Sequence, residues 1–459
     1  MKKKLLLALG FLLLLSGWFS AFFLTSLAQY SNLYLLAPTL LLGAGMGLMH
    51  KTVGAKLTAL TLAFTALAAI LTMNQLFPNH GVSISAFKQR MRDGGQMGHS
   101  VPIITQDTDR NGIFASERSL EAFADVEVHL FARLPGPVRM MSFDSTGNLY
   151  VTIPQLGAVY QLKDVDHDGY AEQPVLFHVG MDRPHGLVWK DRKLYVAETS
   201  QLLELQDTDD DNQVDQVRII LDGLPDDGGH WTRSLALEKD GFLYLSIGSR
   251  CNACEEDDPM RATVLKVDPV TGKSSIFARG LRNSVGLSFS PAGKTLWGSD
   301  NGRDQLGDDL PPDEINQISA GNNYGWPNCY GKQIPDPQLG SSNLCQKTVA
   351  SIVDLPAHSA PLGITFGEHL NAPEEYRNSL YVAFHGSWNR SVPTGYKLIR
   401  IPYKNHQMST AGKDFLRGWL VNGKAWGRPV APVVGLDGNL YVSDDRAEAI
   451  YRISWKQKE

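Results

Sequence analysis

Met141-Ser-Phe-Asp-Ser-Thr-Gly147 ends an apolar run in a glycine turn, Leu149-Tyr150 opens the next run, and Ala158-Val-Tyr-Gln-Leu162 makes a third. Period-two alternation between turn signals describes antiparallel strands. The Leu-aromatic pair recurs at Leu194-Tyr195, Leu243-Tyr244, Leu296-Trp297, Leu380-Tyr381 and Leu440-Tyr441. Glycine turns precede several copies, as in Leu235-Ala-Leu-Glu-Lys-Asp-Gly241 and Val433-Val-Gly-Leu-Asp-Gly438, and Ala449-Ile-Tyr-Arg-Ile453 repeats the third run. Six such copies predict an all-β fold, a six-bladed β-propeller over residues 126–459. Radial closure leaves few strand edges open, and a sandwich leaves the sixfold dipeptide unexplained. The segment from Val126 to Ala132 is expected to add a strand that helps close the ring.

The chain is 459 residues long with a formal net charge of −5. A slightly acidic chain without a basic run argues against nucleic-acid binding. The averages hide an asymmetry. From Met1 to about Phe77 three apolar runs stand out: Leu5 to Leu27, Leu33 to Met49 and Leu57 to Met73. A bilayer span takes roughly 20 apolar residues, so the first run qualifies and the others are short. Lys2-Lys3-Lys4 precedes the first run, Gln29 to Asn32 carries no Lys or Arg, and Lys51 and Lys56 precede the third. That pattern predicts an N-terminal bundle of about three transmembrane helices over 1–77. Residues 78–125 then form a linker and the lead-in to the propeller, on the periplasmic or outer face of the inner (plasma) membrane. A cleaved signal peptide is the other reading of the first run.

In a propeller, residues just before each innermost strand project at one mouth of the central channel, the default site of such a fold. Aligning Gly186, Ser234, Gly286, Gly363 and Ala431 places His185, His230, Arg282 with Asn283, Pro361 and Arg428 there. The second strands end in Glu198, Ser249-Arg250, Asp300-Asn301-Gly302-Arg303, His385-Gly386 and Asp444-Asp445. Arg282, Arg303, Arg390 and Arg428 suit an anionic planar ligand, because guanidinium forks pair with carboxylates and stack on rings. The alternative is that these arginines pair with neighbouring aspartates between blades. His230, in Gly228-Gly229-His230-Trp231, is a candidate general base.

Two loops have calcium-like spacing: Asp164-x-Asp166-x-Asp168-Gly169 with Glu172 downstream, and Asp207-x-Asp209-x-Asp211 with Asp215 downstream. Solvated acidic turns are the alternative. Cys251-x-x-Cys254 has no second pair at zinc spacing and no following His. Beyond an oxidising membrane face a local disulfide is expected, with Cys329 and Cys345 as a second bridge.

Several stretches together resemble the sorbosone dehydrogenase branch of soluble-type quinoprotein sugar (glucose) dehydrogenases. They are Cys251-Asn-Ala-Cys254, Gly280-Leu-Arg-Asn-Ser-Val-Gly286, Asp300-Asn-Gly-Arg303, Gly307-Asp-Asp-Leu-Pro-Pro-Asp-Glu314, Asn323-Tyr-Gly-Trp-Pro327, His385-Gly-Ser-Trp-Asn-Arg390 and Gly427-Arg-Pro429. The likeness spans about Glu127 to Ser454. It implies a propeller oxidoreductase using pyrroloquinoline quinone (PQQ) and calcium. It assigns His230 as the base toward the substrate hydroxyl, and Arg282, Asn283 and Arg428, with Arg390, as cofactor contacts. It places the Gly302 and Arg303 carbonyls on the active-site calcium, and His185 with Trp231 on the substrate side. Glucose enzymes of this kind carry Gln where this chain has Val285 and Asp where it has Gly229. The expected substrate is a sugar, aldehyde or related alcohol, and the acceptor is membrane quinone or a cytochrome, with lipid around the anchor. Two rivals are a calcium-dependent lactonase, which would set carboxylate and Asn ligands around the channel, and a non-catalytic binding propeller.

Overall fold

A computed structural model describes residues 98–456. The three expected membrane spans and the first part of the linker lie outside the described residues. Among the described residues, no helix is long and apolar enough to cross a membrane.

The described chain is all-β and propeller-like, and its two α-helices, Ser342–Cys345 and Glu374–Arg377, are single turns. Four separate four-stranded antiparallel sheets follow in chain order. The first holds Met141–Phe143, Leu149–Ile153, Ala158–Leu162 and Val175–Val179, and the second Leu187–Lys190, Lys193–Ala197, Leu202–Gln206 and Gln216–Leu221. The third holds Leu235–Leu237, Leu243–Ile247, Thr263–Val267 and Ser274–Arg279, and the fourth Ser284–Phe289, Leu296–Asp300, Asp313–Ile318 and Val353–Leu355. An 11-stranded sheet contains two more four-strand runs. One is Pro361–Phe366, Ser379–Phe384, Lys397–Lys404 and Lys413–Arg417; the other is Pro429–Val434, Leu440–Asp444, Ala449–Trp455 and Val126–Arg133. His99–Ile104 and Ser119–Ala122, from the stretch expected to lead into the propeller, join the two runs.

The first strands of these groups pack on one another in a closed cycle, with the Pro429–Val434 strand returning to Met141–Phe143. They enclose a channel of about 250 Å³ whose lining includes Gly186, Ser234, Gly286, Gly363 and Ala431. These positions are small because backbones nearly touch: a Cβ at Gly186 would lie 2.5 Å from the Arg233 carbonyl oxygen. Hydroxyls strap one sheet to the next. Thr152 Oγ1 donates to the His185 carbonyl at 2.9 Å and Ser299 Oγ to that of Leu362 at 2.6 Å. Ser443 Oγ donates to the Arg139 carbonyl at 2.7 Å, which joins the last group to the first. Val126–Arg133 pairs antiparallel with Ala449–Trp455, so the N-terminal strand clasps the C-terminal group as expected.

The recurring dipeptide follows from this stacking. A strand in a sheet with one wet face buries alternate residues, but here both members of each pair are buried, from Leu149 and Tyr150 to Leu440 and Tyr441. Neighbouring sheets cover both faces of every second strand. Leucine fills one side and the ring fills the other, and the Tyr441 hydroxyl reaches Asp437 at 2.9 Å.

First strands run away from the mouth and second strands return to it. The connections after the second strands therefore build the mouth. Three are long, over 248–262, 301–312 and 385–396, and together they raise one wall. The third-to-fourth-strand turns lie at the opposite end, and both Asp-rich loops sit there. They are far-end turns, not parts of the mouth.

Candidate active site

His230 sits on the loop before the third sheet. Gly228, with φ +93°, permits the turn there, since a Cβ would come within 2.7 Å of Arg250 backbone atoms. Gly248 lets the imidazole pack close, because its Cβ would meet His230 Cβ at 2.6 Å. Nδ1 of His230 lies 2.9 Å from both the Ser249 carbonyl and Ser249 Oγ. A carbonyl only accepts, and that Ser249 hydroxyl donates to the Cys251 carbonyl at 2.8 Å. The Nδ1 nitrogen is therefore the protonated one, and Nε2 carries the lone pair with no partner among the described residues. Burial first, then the Arg282 charge, pushes the imidazole down to about 4. The ring is neutral at ordinary pH.

His185 is fully buried, and burial holds it well below the usual histidine range. Its Nδ1 donates to the Arg233 carbonyl at 3.2 Å, and its Nε2 has no hydrogen-bond partner. Trp231 stands edge-on over it, with ring centroids 5.6 Å apart, and Arg183 lies over the Trp231 ring at 5.6 Å. Of the two residues expected on the substrate side, Trp231 is the one with exposed surface.

The four arginines differ sharply. All five N–H groups of Arg282 meet protein acceptors. Nε donates to the Asn252 carbonyl, Nη1 to the Asn301 and Gly302 carbonyls, and Nη2 to Asn252 Oδ1, with Asp304 Oδ2 at 3.5 Å. Arg303 pairs with buried Asp336 at 2.7 Å. Arg390 donates to the Asp308 and Ala357 carbonyls and pairs with Asp309 at 3.1 Å. These three follow the pairing alternative. Arg428 donates Nε to the His385 carbonyl at 3.0 Å and Nη2 to that of Gly386 at 2.6 Å; its Nη1 has no acceptor among the described residues. Asn283 accepts from Thr232 at 3.4 Å through Oδ1, which leaves its amide nitrogen free.

Beneath the mouth lies a group of buried carboxyls. Asp300 accepts from the Arg282 and Asn283 amides and the Ser284 hydroxyl, and Asp313 from the Gly302 and Ala360 amides. Glu314 accepts from the Gly331 amide and Asn316. Burial pushes Asp300 up to about 6, Asp313 to about 7 and Glu314 to about 8. On the other side, Asp445 accepts from Arg139 at 2.8 Å and from His385 Nε2 at 2.9 Å. Burial opposes ionisation of Asp445, but the hydrogen bond from His385 and the charges around it win and hold it at about 2. Arg139 is not among the aligned mouth positions, but it stands just before Met140-Met141 as Arg428 stands before its own strand.

The metal candidates fall in two regions. The Gly302 carbonyl already accepts a guanidinium N–H at 2.9 Å, so a cation on that oxygen would face a like charge. At the far end, Asp164, Asp166 and Asp168 bring carboxylate oxygens within 4.8 Å of one another, while Asp207 and Asp209 are completed by Asp215 and not by Asp211. Asp211 instead accepts from the Gln213 amide at 2.8 Å. Both expected disulfides form, Cys251–Cys254 and Cys329–Cys345.

A family model described as TrAA12-like matches residues 122–456. The chain belongs to the TrAA12-like family. An uncharacterized protein of Borreliella burgdorferi is 32% identical over 349 residues, covering 72% of this chain and 89% of that one. The pyrroloquinoline quinone-dependent pyranose dehydrogenase of Coprinopsis cinerea is 28% identical over 291 residues, covering 49% of this chain and 39% of that enzyme. The matched region thus spans about two fifths of the pyranose dehydrogenase. A calcium structure of the Trichoderma reesei family AA12 enzyme superposes with TM-score 0.63 at 22% identity, covering 73% of this chain and 97% of that one, which shows a shared fold. The TrAA12-like match begins at Ala122, before the clasp strand, and ends at Lys456, just beyond the last strand, so it takes in the whole ring.

Proposed function

We propose that this protein is a PQQ-dependent dehydrogenase that oxidises a sugar or a related alcohol or aldehyde. The observation that carries the reading is His230, a neutral imidazole whose Nδ1–H is tied to Ser249 and whose Nε2 lone pair is free at the mouth. We count the two four-strand runs of the 11-stranded sheet as blades, and on that count the closed cycle of first strands is a six-bladed ring.

The residues present fit a flat polycarboxylate. Arg428 Nη1 and the Asn283 amide nitrogen are donors without protein acceptors at the mouth. Arg428 would hold a carboxylate, and Asn283 would hydrogen-bond an edge oxygen. Arg282 contributes the face of its guanidinium and its charge, since its N–H groups are committed. Bound there, PQQ supplies a two-electron acceptor for the oxidised C–H bond. The chain's own part is proton handling. His230 Nε2 takes the substrate hydroxyl proton, and Ser249 fixes the tautomer that keeps that nitrogen bare. Trp231 offers a ring face to the substrate. Calcium enters the proposal from the sequence pattern alone and takes no part in these steps. The same holds for the membrane anchor and the periplasmic orientation, with membrane quinone or a cytochrome as acceptor.

The lactonase alternative is weaker, because it calls for carboxylate and Asn ligands around the channel, and here Asp300 and Asp313 are turned to backbone amides while Asp445 is held by Arg139 and His385. Titrating the full chain with PQQ, then adding aldoses, aldehydes and lactones with a dye acceptor, tests the proposal. A bound-quinone spectrum with dye bleaching by one substrate class is expected. Lactone hydrolysis without quinone binding would overturn it.

A further inference from the structure

The long connection over 248–262 carries Cys251-Asn-Ala-Cys254 to the mouth. Among the described residues, none of these four takes part in a backbone–backbone hydrogen bond. Their shape is set by the disulfide and by the contacts of Asn252, which are unusually many. Asn252 Oδ1 accepts from the Asp304 amide at 2.7 Å and from Arg282 Nη2 at 2.9 Å. Its carbonyl accepts from Arg282 Nε at 2.9 Å, and its Nδ2 donates to the Asp304 carbonyl at 3.1 Å. One side chain thus pins a guanidinium from the fourth sheet's entry and both backbone groups of Asp304 from the 301–312 connection. One residue earlier, the Cys251 carbonyl accepts from the same Ser249 hydroxyl that receives His230 Nδ1. Asp304 is in turn held from the third wall by Asn389 Nδ2 at 2.7 Å.

We propose that Asn252 is a positioning residue of the mouth: it fixes Arg282 and the 301–304 backbone against each other, and the Cys251–Cys254 bond holds it in the conformation that does so. Neither residue need touch a ligand. Its consequence for PQQ rests on the function proposed above, whereas its consequence for the backbone does not. The clasp is sensitive to reduction. Cys251 and Cys254 are half-buried, whereas Cys329 and Cys345 are buried. A dithiol that breaks the first bond delivers two electrons and two protons to the cysteine sulfurs and itself closes to a disulfide.

The test compares the full chain with Asn252→Ala and with the double variant Cys251→Ser, Cys254→Ser, and also treats the wild type with dithiothreitol. Amide hydrogen exchange is the first readout. Among the described residues the Asp304 amide has no acceptor but Asn252, so its exchange should quicken by about tenfold or more in all three cases, while the second-strand amides of the third and fourth sheets stay unchanged. Equilibrium PQQ binding is the second, with affinity expected to fall about tenfold. Unchanged Asp304 exchange in both variants, with the sheets intact, overturns the proposal. Global loss of protection in a variant makes the dithiothreitol-treated wild type decisive, and protection of Asp304 there overturns it as well. If the wild type binds no PQQ while Asp304 exchange quickens as expected, the proposed function fails and the positioning role stands.

Discussion

Replacing His230 by Ala removes a half-buried imidazole whose Nε2 has no partner among the described residues, and the structure fixes how large the effect should be. With the ring held at about 4, fewer than about one molecule in a thousand carries a protonated His230 at pH 7. The base is therefore fully available, and its loss costs the whole of its contribution. A positioned general base is worth about 10²–10⁴ in rate, or about 2.7–5.4 kcal/mol at 1.36 kcal/mol per decade. PQQ affinity should move little, because the ring bonds to Ser249 and not to the free donors Asn283 and Arg428. Ser249→Ala deletes one of two acceptors for Nδ1–H and keeps the carbonyl, so it should lower kcat by less than tenfold. The pH profile adds an independent check. Activity requires the neutral ring, so it should fall only as pH drops through about 4, not through the 6.5 of a free imidazole. The assay is steady-state dye reduction by PQQ-loaded full-length protein from pH 4 to 8, beside a PQQ titration of each variant. A loss under tenfold in His230→Ala with PQQ bound, or an acid limb near 6.5, refutes the assignment.

Arg428→Ala should weaken PQQ binding by about 1.5–3 kcal/mol, a charge-assisted bond, with less than threefold weakening in a titration counting against its role. Glu314→Gln should flatten the pH dependence of stability. The folded carboxyl, pushed up to about 8 by burial, keeps a proton that the unfolded chain releases near 4.5. Stability is thus full below 4.5 and is lost as pH climbs toward 8 in the wild type. Urea unfolding at pH 5 and 8 measures the slope, and equal slopes would show that Glu314 ionises freely. Leu243→Ala, at a fully buried member of the repeated pair, should cost about 2–5 kcal/mol in the same assay. A cost below about 1 kcal/mol there would mean that the stacked sheets repack around the gap.

The repeated Leu-aromatic pair made the architecture legible because its cause is local. Each second strand is covered on both faces, so the same two side chains answer the same packing problem in every group. The far-end Asp loops were legible as clusters for the same reason, since their carboxylates lie within a few residues of one another, but their distance from the mouth was not. It follows from counting turns along each sheet, because the turn after a third strand must lie opposite the connection after a second. The arginines were the hardest to read. In sequence Arg282, Arg303, Arg390 and Arg428 are alike, four cations near strand ends. What separates them is partners brought from afar: Asn252 stands 30 residues before Arg282, and Asp308 stands 82 before Arg390. Three of the four have a carboxylate within ion-pair reach, Asp304, Asp336 and Asp309. Arg428 has none among the described residues, and two of its contacts are carbonyls, which satisfy hydrogen bonds without cancelling charge. The three paired arginines therefore act as rivets for the mouth wall, and the fourth is the one outside any ion pair among the described residues, with the Asp445 charge acting on it from a distance. An anionic ligand drawn to this mouth would owe its orientation to Arg428, so its carboxylate should lie on the side of the 385–396 connection.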